Sequence, residues 1–190
     1  MSNFKIYIFL IITPFFISSC AYQPLRAISV DKNVLLAAED GYLFLALATD
    51  IGISSVEIDG PKRIEIINFN KFEKRNYFLG VVPKGQYKIS KINLWGNRFY
   101  LLDNEDLPFS FTVKPETINY VGEVRLKRLD SDASIELINR SSLALEYLDE
   151  KFPELLLNRS IKYEGPGNDS FFNAIADNRK KILLKKEVVK

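Results

Sequence analysis

Histidine is absent from this chain of 190 residues, and cysteine occurs only once. Without histidine there can be no His-ligated zinc, no Ser-His-Asp triad and no histidine general base. A single cysteine cannot form an intrachain disulfide, so the fold must depend on core burial. Carboxylate catalysis of the glycosidase type and a Ser–Lys arrangement remain open to an enzyme. Because no pattern favours either of them, we predict a non-enzymatic protein without metal or cofactor.

The amino-terminal residues have the three parts of a secretory signal. Lys5 precedes an uncharged, mostly apolar run over residues 6–17, and small residues follow it. This order is typical of a signal peptide. A membrane-spanning helix needs about 20 apolar residues, and Pro14 would weaken this shorter run further. We therefore predict a cleaved signal peptide over residues 1–19, with a retained anchor helix as the alternative.

The only cysteine stands at the end of this signal. Ile17-Ser18-Ser19-Cys20 resembles the lipobox of bacterial lipoproteins, which consists of an aliphatic residue, two small residues and a cysteine. The resemblance implies cleavage between Ser19 and Cys20, diacylglycerol on the Cys20 sulfur and acylation of the new amino terminus. Such lipid would hold the protein on a membrane and would leave no free thiol for nucleophilic catalysis. A signal peptide with an incidental or buried cysteine is the alternative.

The residue after the cysteine bears on the location. By the sorting rule of enteric lipoproteins, aspartate at this position retains the protein at the inner membrane, but this chain has Ala21. The resemblance therefore implies the periplasmic side of the outer membrane, or the plasma membrane if the cell has only one membrane.

Short apolar runs separated by turn residues dominate the chain from about 35 to 129, as in a protein built of strands. Residues 41–48 are apolar at both odd and even positions, which predicts a strand buried on both faces. Other strands are predicted over residues 54–58, 63–69, 77–82, 87–90, 109–113 and 120–127. The turn Asp59-Gly60-Pro61 would join two of them in a hairpin.

Two strands carry finer signals. Between Ile89 and Ile92 the alternation of apolar and polar residues shifts by one position, which predicts a bulge. In residues 120–127 we expect the apolar side chains to face the core and Glu123, Arg125 and Lys127 to face water.

One amphipathic helix is predicted after the strands. Its apolar stripe consists of Leu145, Leu148, Phe152, Leu155 and Leu156. Ser141 or Ser142 would cap its start, and Pro153 would end it after about ten residues, with a short second turn beyond. We expect this helix to cover an open edge or face of a sheet. Residues 171–190 fit either a last helix or a strand at 182–184.

A family resemblance is carried by residues 77–89. Here Val81, Pro83, Gly85, Tyr87 and Ile89 match the "aliphatic-x-Pro-x-Gly-x-Tyr-x-aliphatic" hairpin of transthyretin-like, carboxypeptidase-regulatory-like sandwiches. Residues 109–113 and 118–122 resemble a paired motif of uncharacterised bacterial lipoproteins built on that domain. The resemblance implies a fold and a cell-envelope setting, and it brings no catalytic residue.

These signals predict a mainly β protein, an antiparallel β-sandwich of transthyretin-like or Ig-like type with a C-terminal helix of about ten residues. The predicted organisation is a signal peptide (1–19), a lipidated tether (20–34), the sandwich (35–135), a helical segment packed on it (136–164), and a loop with a basic tail (165–190).

Three groups of residues are candidate sites. Trp95, with Asn97 and Tyr100 nearby, could form a platform for a sugar ring or a partner protein, or fill the core. The acidic residues 103–106 lack the spacing of a calcium loop and are interpreted as solvated. Residues 179–190 contain one arginine, five lysines and one glutamate, which form a solvated end or a patch for anionic lipid headgroups or another polyanion.

The predicted function is that of an envelope lipoprotein serving as a binding or structural module. Its partners would be the membrane, through lipid on Cys20, and an envelope protein or polymer, and no nucleic acid is expected. The alternatives are a carboxylate-dependent hydrolase acting on envelope glycans and a lipid carrier with an apolar cavity.

Overall fold

The computed structural model describes residues 22–33, 35–67, 69–70, 73–102, 109–130 and 132–176. The strands of this part of the chain are β1 Gln23–Pro24, β2 Asp40–Thr49, β3 Ile53–Asp59, β4 Ile64–Ile66, β5 Arg75–Pro83, β6 Gly85–Leu94, β7 Phe99–Leu101, β8 Ser110–Val113, β9 Ile118–Leu129, β10 Asp132–Ile138 and β11 Ile161–Tyr163. Its helices are α1 Ser141–Lys151, α2 Pro153–Asn158 and a helical turn over residues 171–176.

The protein is mainly β, with two mixed sheets. The first has the order β1-β4-β3-β6-β7, and β8 also pairs with β6. The second has the order β10-β9-β2-β5, and β11 also pairs with β9. Most neighbours are antiparallel, but β1–β4, β2–β9 and β9–β11 are parallel. The antiparallel prediction is thus only partly confirmed, because the chain forms strands of both sheets between β2 and β9 and then returns in the direction of β2.

Strand β2 is buried on both faces, as its sequence predicted. Leu43, Leu45 and Leu47 join an apolar cluster to which both sheets contribute. Tyr42 and Phe44 point to the opposite side, where a second cluster forms under the helices. The second sheet therefore lies between two apolar layers, and β2 runs through its centre.

The helices cover the second sheet. Leu148, Phe152, Leu155 and Leu156 are buried, which confirms the predicted stripe, and Pro153 starts the separate helix α2. The predicted serine cap is wrong: the side chain of Asn139 accepts the Ser141 N–H at 2.8 Å. No helix in the described ranges is long and apolar enough to cross a bilayer.

The motif at residues 77–89 links the two sheets and does not form a hairpin. Strand β5 pairs with β2, whereas β6, which begins one residue later, pairs with β3. Gly85 makes this abrupt change possible, because its φ is 143° and a Cβ there would approach Pro61. The Tyr87 hydroxyl donates to the Pro83 carbonyl at 2.8 Å and fixes the link. The hairpin prediction was wrong because strands that are adjacent in sequence can belong to different sheets.

The other local predictions for the first sheet are confirmed. Strands β3 and β4 form the hairpin around the turn at residues 59–63, although β4 is shorter than expected. Lys91 pairs with Glu57 and Ile89 with Ile58, so Ser90 is the extra residue of the predicted bulge.

Residues 22–33, within the region expected to be a tether, run along both sheets. Gln23 pairs with Ile64 in the first sheet, and Ala27 forms a bridge to Gly80 in the second. Farther on, the Asp31 carboxylate accepts the first N–H groups of α2. The folded body therefore begins close to the predicted lipid attachment site.

Asn119 joins β9 to the turn at residues 114–117. Its buried amide donates to the carbonyls of Lys114 and Thr117 at 2.9 Å and accepts the Lys114 N–H at 3.0 Å. We expect Asn119→Ala to lower the free energy of unfolding by about 1–3 kcal/mol, since buried backbone groups lose their partners. Urea unfolding measures this loss. Asn158→Ala, which removes an exposed amide, is the control and should change stability by less than about 0.5 kcal/mol; equal losses in both variants would contradict the assigned role.

Candidate functional site

Several predicted sites lie outside the described residues. These are the cleavage and attachment residues Ser19 and Cys20, the acidic residues 103–106, and the tail from 177 to 190. They stay predictions from the sequence.

The three residues of the predicted platform lie near the turn between β6 and β7. Trp95 is 46% exposed and lines a cavity of about 230 Å³ together with Gly52 and Asn76. Tyr100 packs partly against the core and borders a different cavity of about 170 Å³. Asn97 forms the turn itself, with a φ of 60°. The structure thus places the two rings beside different cavities.

A buried carboxylate, which the sequence did not reveal, lies on the other sheet. Glu123 was expected to face water, but none of its surface is exposed. Glu123 lies on the face of β9 opposite Val124 and Leu126, and the aromatic side chains packed under α1 cover that face. A bulge at Gly122, whose φ is 116°, puts Tyr120 on the same face. Phe44 pairs with Tyr120 and Ala46 with Glu123, so β9 contains one extra residue at this point. This extra residue shifts the alternation of side chains along β9 by one position. As a result, Glu123 lies on the same helix-covered face as Tyr120.

Glu123 forms ion pairs with two arginines. The Nε of Arg75 donates to one carboxylate oxygen, and an Nη of Arg125 donates to the other at 3.2 Å. The arginine side chains are 33% and 22% exposed. The hydrogen bond to Glu123 raises the pKa of the Arg75 guanidinium. One buried negative charge thus holds two positive charges close together at the surface.

The small residues of β2 make room for this ion triad, which we define as Arg75, Glu123 and Arg125. Ala46 lies opposite Glu123 on β9, and Ala48 lies between Arg75 on β5 and Arg125 on β9. Larger side chains at these two positions would occupy the space in which the charged groups meet.

An aromatic layer borders the triad on the side of the helices. The rings of Tyr77 and Tyr147 stack with centroids 4.1 Å apart, and Phe44 packs on both. Tyr120 is fully buried, and its hydroxyl has no hydrogen-bond partner among the described residues. Burial raises the pKa of Tyr120 and of Tyr77, which keeps both phenols neutral at physiological pH. The layer fixes α1 on the sheet and shields Glu123 from water.

On the solvent side, the triad continues into an open groove of about 460 Å³. Its lining, which we call the cationic groove, consists of Ala48, Thr49, Asp50, Lys74, Arg125, Leu126 and Lys127. Three side chains are thus basic and one is acidic. The acidic one, Asp50, already accepts the backbone N–H of Arg128 at 3.0 Å. Neither lysine forms an ion pair with another described residue, so both ammonium groups can bind an anion.

Part of this site could have been found from the sequence. A glycine in a strand interior often marks a bulge, and Gly122 precedes the charged alternation directly. Arg75 carries no comparable signal, because it lies about fifty residues from its partner and only the sheet pairing brings them together.

Comparison of the chain with protein-family models, with curated proteins and with solved structures finds no match. Within the described ranges, no group of three acidic or thiol side chains could hold a metal ion.

Proposed function

We propose that this protein is a lipid-anchored envelope lipoprotein that acts as a non-enzymatic binding module. In this proposal Cys20 carries the lipid, the body lies on the periplasmic side of the outer membrane, and the cationic groove binds anionic groups of an envelope polymer. The sequence Ile17-Ser18-Ser19-Cys20 supports the anchor. The preorganised positive charge of the groove supports the ligand class.

For the fold, we infer a β-sandwich of transthyretin-like or Ig-like type. The support is that apolar side chains of both sheets contribute to one cluster. Leu43 and Leu45 come from the second sheet, and Val56, Ile58 and Ile89 come from the first. A sandwich is the arrangement in which the inner faces of two sheets form a common core.

The ion triad carries the argument for anion binding. A guanidinium has five N–H donors, and Arg125 gives only part of them to Glu123. Because Glu123 holds the group in place, a ligand need not order it again, which reduces the entropy cost of binding. Lys74 and Lys127 add two point charges to the lining. Phosphate or carboxylate groups along a polymer fit such a row of cations.

The carboxylates near the groove favour binding over hydrolysis. A glycosidase needs two carboxyl groups about 5–10 Å apart that are free to donate or accept protons. Both oxygens of Glu123 are engaged by arginines, and Asp50 is engaged by a backbone N–H.

The lipid-carrier alternative needs an apolar cavity between the sheets. There the core side chains of β2 are at most 1% exposed, which favours a filled core.

The groove is tested with fluorescent polyphosphate and polygalacturonate as probes. We expect Lys127→Glu to weaken binding of at least one probe about five- to tenfold, because one attractive charge becomes repulsive. Raising the salt concentration should weaken binding by the unchanged protein as well.

The matched control is Lys162→Glu on β11, an exposed lysine outside the groove. It carries the same change of charge and should bind as the unchanged protein does. If neither probe binds the unchanged protein, or if both variants lose the same affinity, the groove is not the site.

A further inference from the structure

We propose that the folded body rests directly on the lipid headgroups with one defined end, while the cationic groove lies at the opposite end. We call the first the anchor end and define it by the turn at residues 59–63 and the link at residues 83–85. The inference depends on the proposed lipid at Cys20. It adds the orientation of the body and the surface that meets the bilayer.

The first argument is the length of chain between lipid and body. Tyr22 is already held in place: its hydroxyl donates to Asp59 at 2.8 Å, and the Arg63 guanidinium lies 5.5 Å from its ring centroid. The next residue, Gln23, donates its N–H to the Arg63 carbonyl at 3.1 Å. Two residues of extended chain span at most about 7 Å, so an acylated Cys20 must lie within that distance of Tyr22.

The second argument is that other loops gather at the same end. Pro61 packs where a Cβ of Gly85 would stand, which joins the hairpin turn to the link between the sheets. The Lys84 N–H in turn donates to the Glu39 carbonyl, and the Glu116 N–H donates to the Asp40 carbonyl at 2.8 Å. These loops form one continuous surface around the point at which the chain enters the fold.

The third argument is the direction of β2. This strand starts at the anchor end with Asp40 and ends with Thr49, which lines the cationic groove. A strand of ten residues is about 30 Å long. The groove therefore lies about 30 Å from the headgroups, where a polymer of the periplasm can reach it.

Charge does not set this orientation. The basic residues of the anchor end are largely paired, with Arg63 3.2 Å from Asp59 and Lys114 2.6 Å from Glu164. Lys84 likewise pairs with Glu39. Such a surface has little net attraction for anionic lipid, so the short tether alone brings it to the membrane. We therefore expect the same orientation on zwitterionic and on anionic bilayers.

Fluorophores at single introduced cysteines test the orientation. Lys62→Cys places a label in the turn of the anchor end, and Arg98→Cys places one near the other end. Each full-length lipidated variant is reconstituted into phosphatidylcholine vesicles that contain a headgroup-linked nickel quencher. We expect several-fold stronger quenching at position 62 than at position 98. Equal or reversed quenching would overturn the proposed orientation.

Two further measurements distinguish a failure of the lipid anchor from a failure of the proposed orientation. Mass spectrometry of the same samples reports whether Cys20 carries lipid: its absence contradicts the proposed function, whereas lipid with equal quenching contradicts only the orientation. Inserting about 12 Gly and Ser residues before Tyr22 adds a flexible span of about 20 Å. It should abolish the difference between the two labels, and a difference that persists would show that something other than tether length orients the body.

Discussion

Replacing Glu123 with alanine is expected to lower the free energy of unfolding by about 3–5 kcal/mol. The carboxylate is fully buried and bonds to both Arg75 and Arg125. Its removal leaves two partly buried guanidinium groups that repel each other, with a cavity between them and the aromatic layer. Urea unfolding followed by circular dichroism measures the loss. Glu123→Gln should be destabilising as well, because the amide keeps the volume but not the charge.

Glu136→Ala is the matched control. Glu136 lies on β10 directly opposite Arg125, but it is exposed and forms no ion pair with a described residue. Its removal should change stability by less than about 0.5 kcal/mol. A Glu123→Ala variant that unfolds at the same urea concentration as this control would show that the triad does not support the fold.

A second variant distinguishes the contribution of the triad to protein stability from its contribution to anion binding in the groove. Replacing Arg75, Glu123 and Arg125 together with leucine removes all three charges and keeps the apolar volume. We expect this variant to be more stable than Glu123→Ala, because no buried charge remains unpaired. It should still lose affinity for the anionic probes. A triple variant that binds them as well as the unchanged protein does would contradict anion binding through the arginines.

The sequence predicted those features whose signal is contained within one element. The two-sided apolar run of β2, the alternation of Phe109, Phe111 and Val113, and the stripe of the helix all reflect local periodicity. Burial confirms each of them, because the period of a strand or helix decides which side chains share a face. The break at Pro153 was predictable for the same reason, since proline lacks the N–H that the helix needs.

Apart from the serine cap of α1, the errors concern relations between elements. The link at residues 83–85 has the composition of a hairpin turn, and only the pairing of β5 and β6 with other strands shows that it joins two sheets. The parallel pairing of β2 with β9 depends on the path of about seventy residues between them. Strands as short as β1 and β11 form where a neighbouring strand offers free backbone groups, and two or three residues are too few to predict a strand.

The candidate site belongs to this second class. Glu123 is buried because α1 and the aromatic layer cover this face of β9, and two arginines from different strands neutralise its charge. The bulge at Gly122 adds Tyr120 to this face, whereas Val124 and Leu126 on the other face pack in the core between the sheets. A charged alternation in a strand therefore indicates the face turned away from the core between the sheets, but it does not show whether a helix covers that face.

Replacing Cys20 with alanine is expected to move the protein almost completely from the membrane fraction to the soluble fraction. Each buried acyl CH₂ contributes about 0.8 kcal/mol to membrane binding, so the loss of acyl chains removes most of the affinity. The body offers little to replace it, since basic residues of the anchor end such as Arg63 and Lys114 are ion-paired. Fractionation of cells followed by immunoblotting measures the distribution.

Ser19→Ala is the matched control, because it changes the neighbouring position but keeps a small residue before the cysteine. This variant should stay in the membrane fraction, and mass spectrometry should find its amino-terminal cysteine acylated. A Cys20→Ala protein that remains in the membrane pellet although residues 1–19 have been removed, or a mature unchanged chain that still contains Lys5, would contradict the lipid anchor. Either result would also remove the basis for the proposed orientation, whereas the expected role of Glu123 in stability would be unaffected because its contacts lie within the folded body.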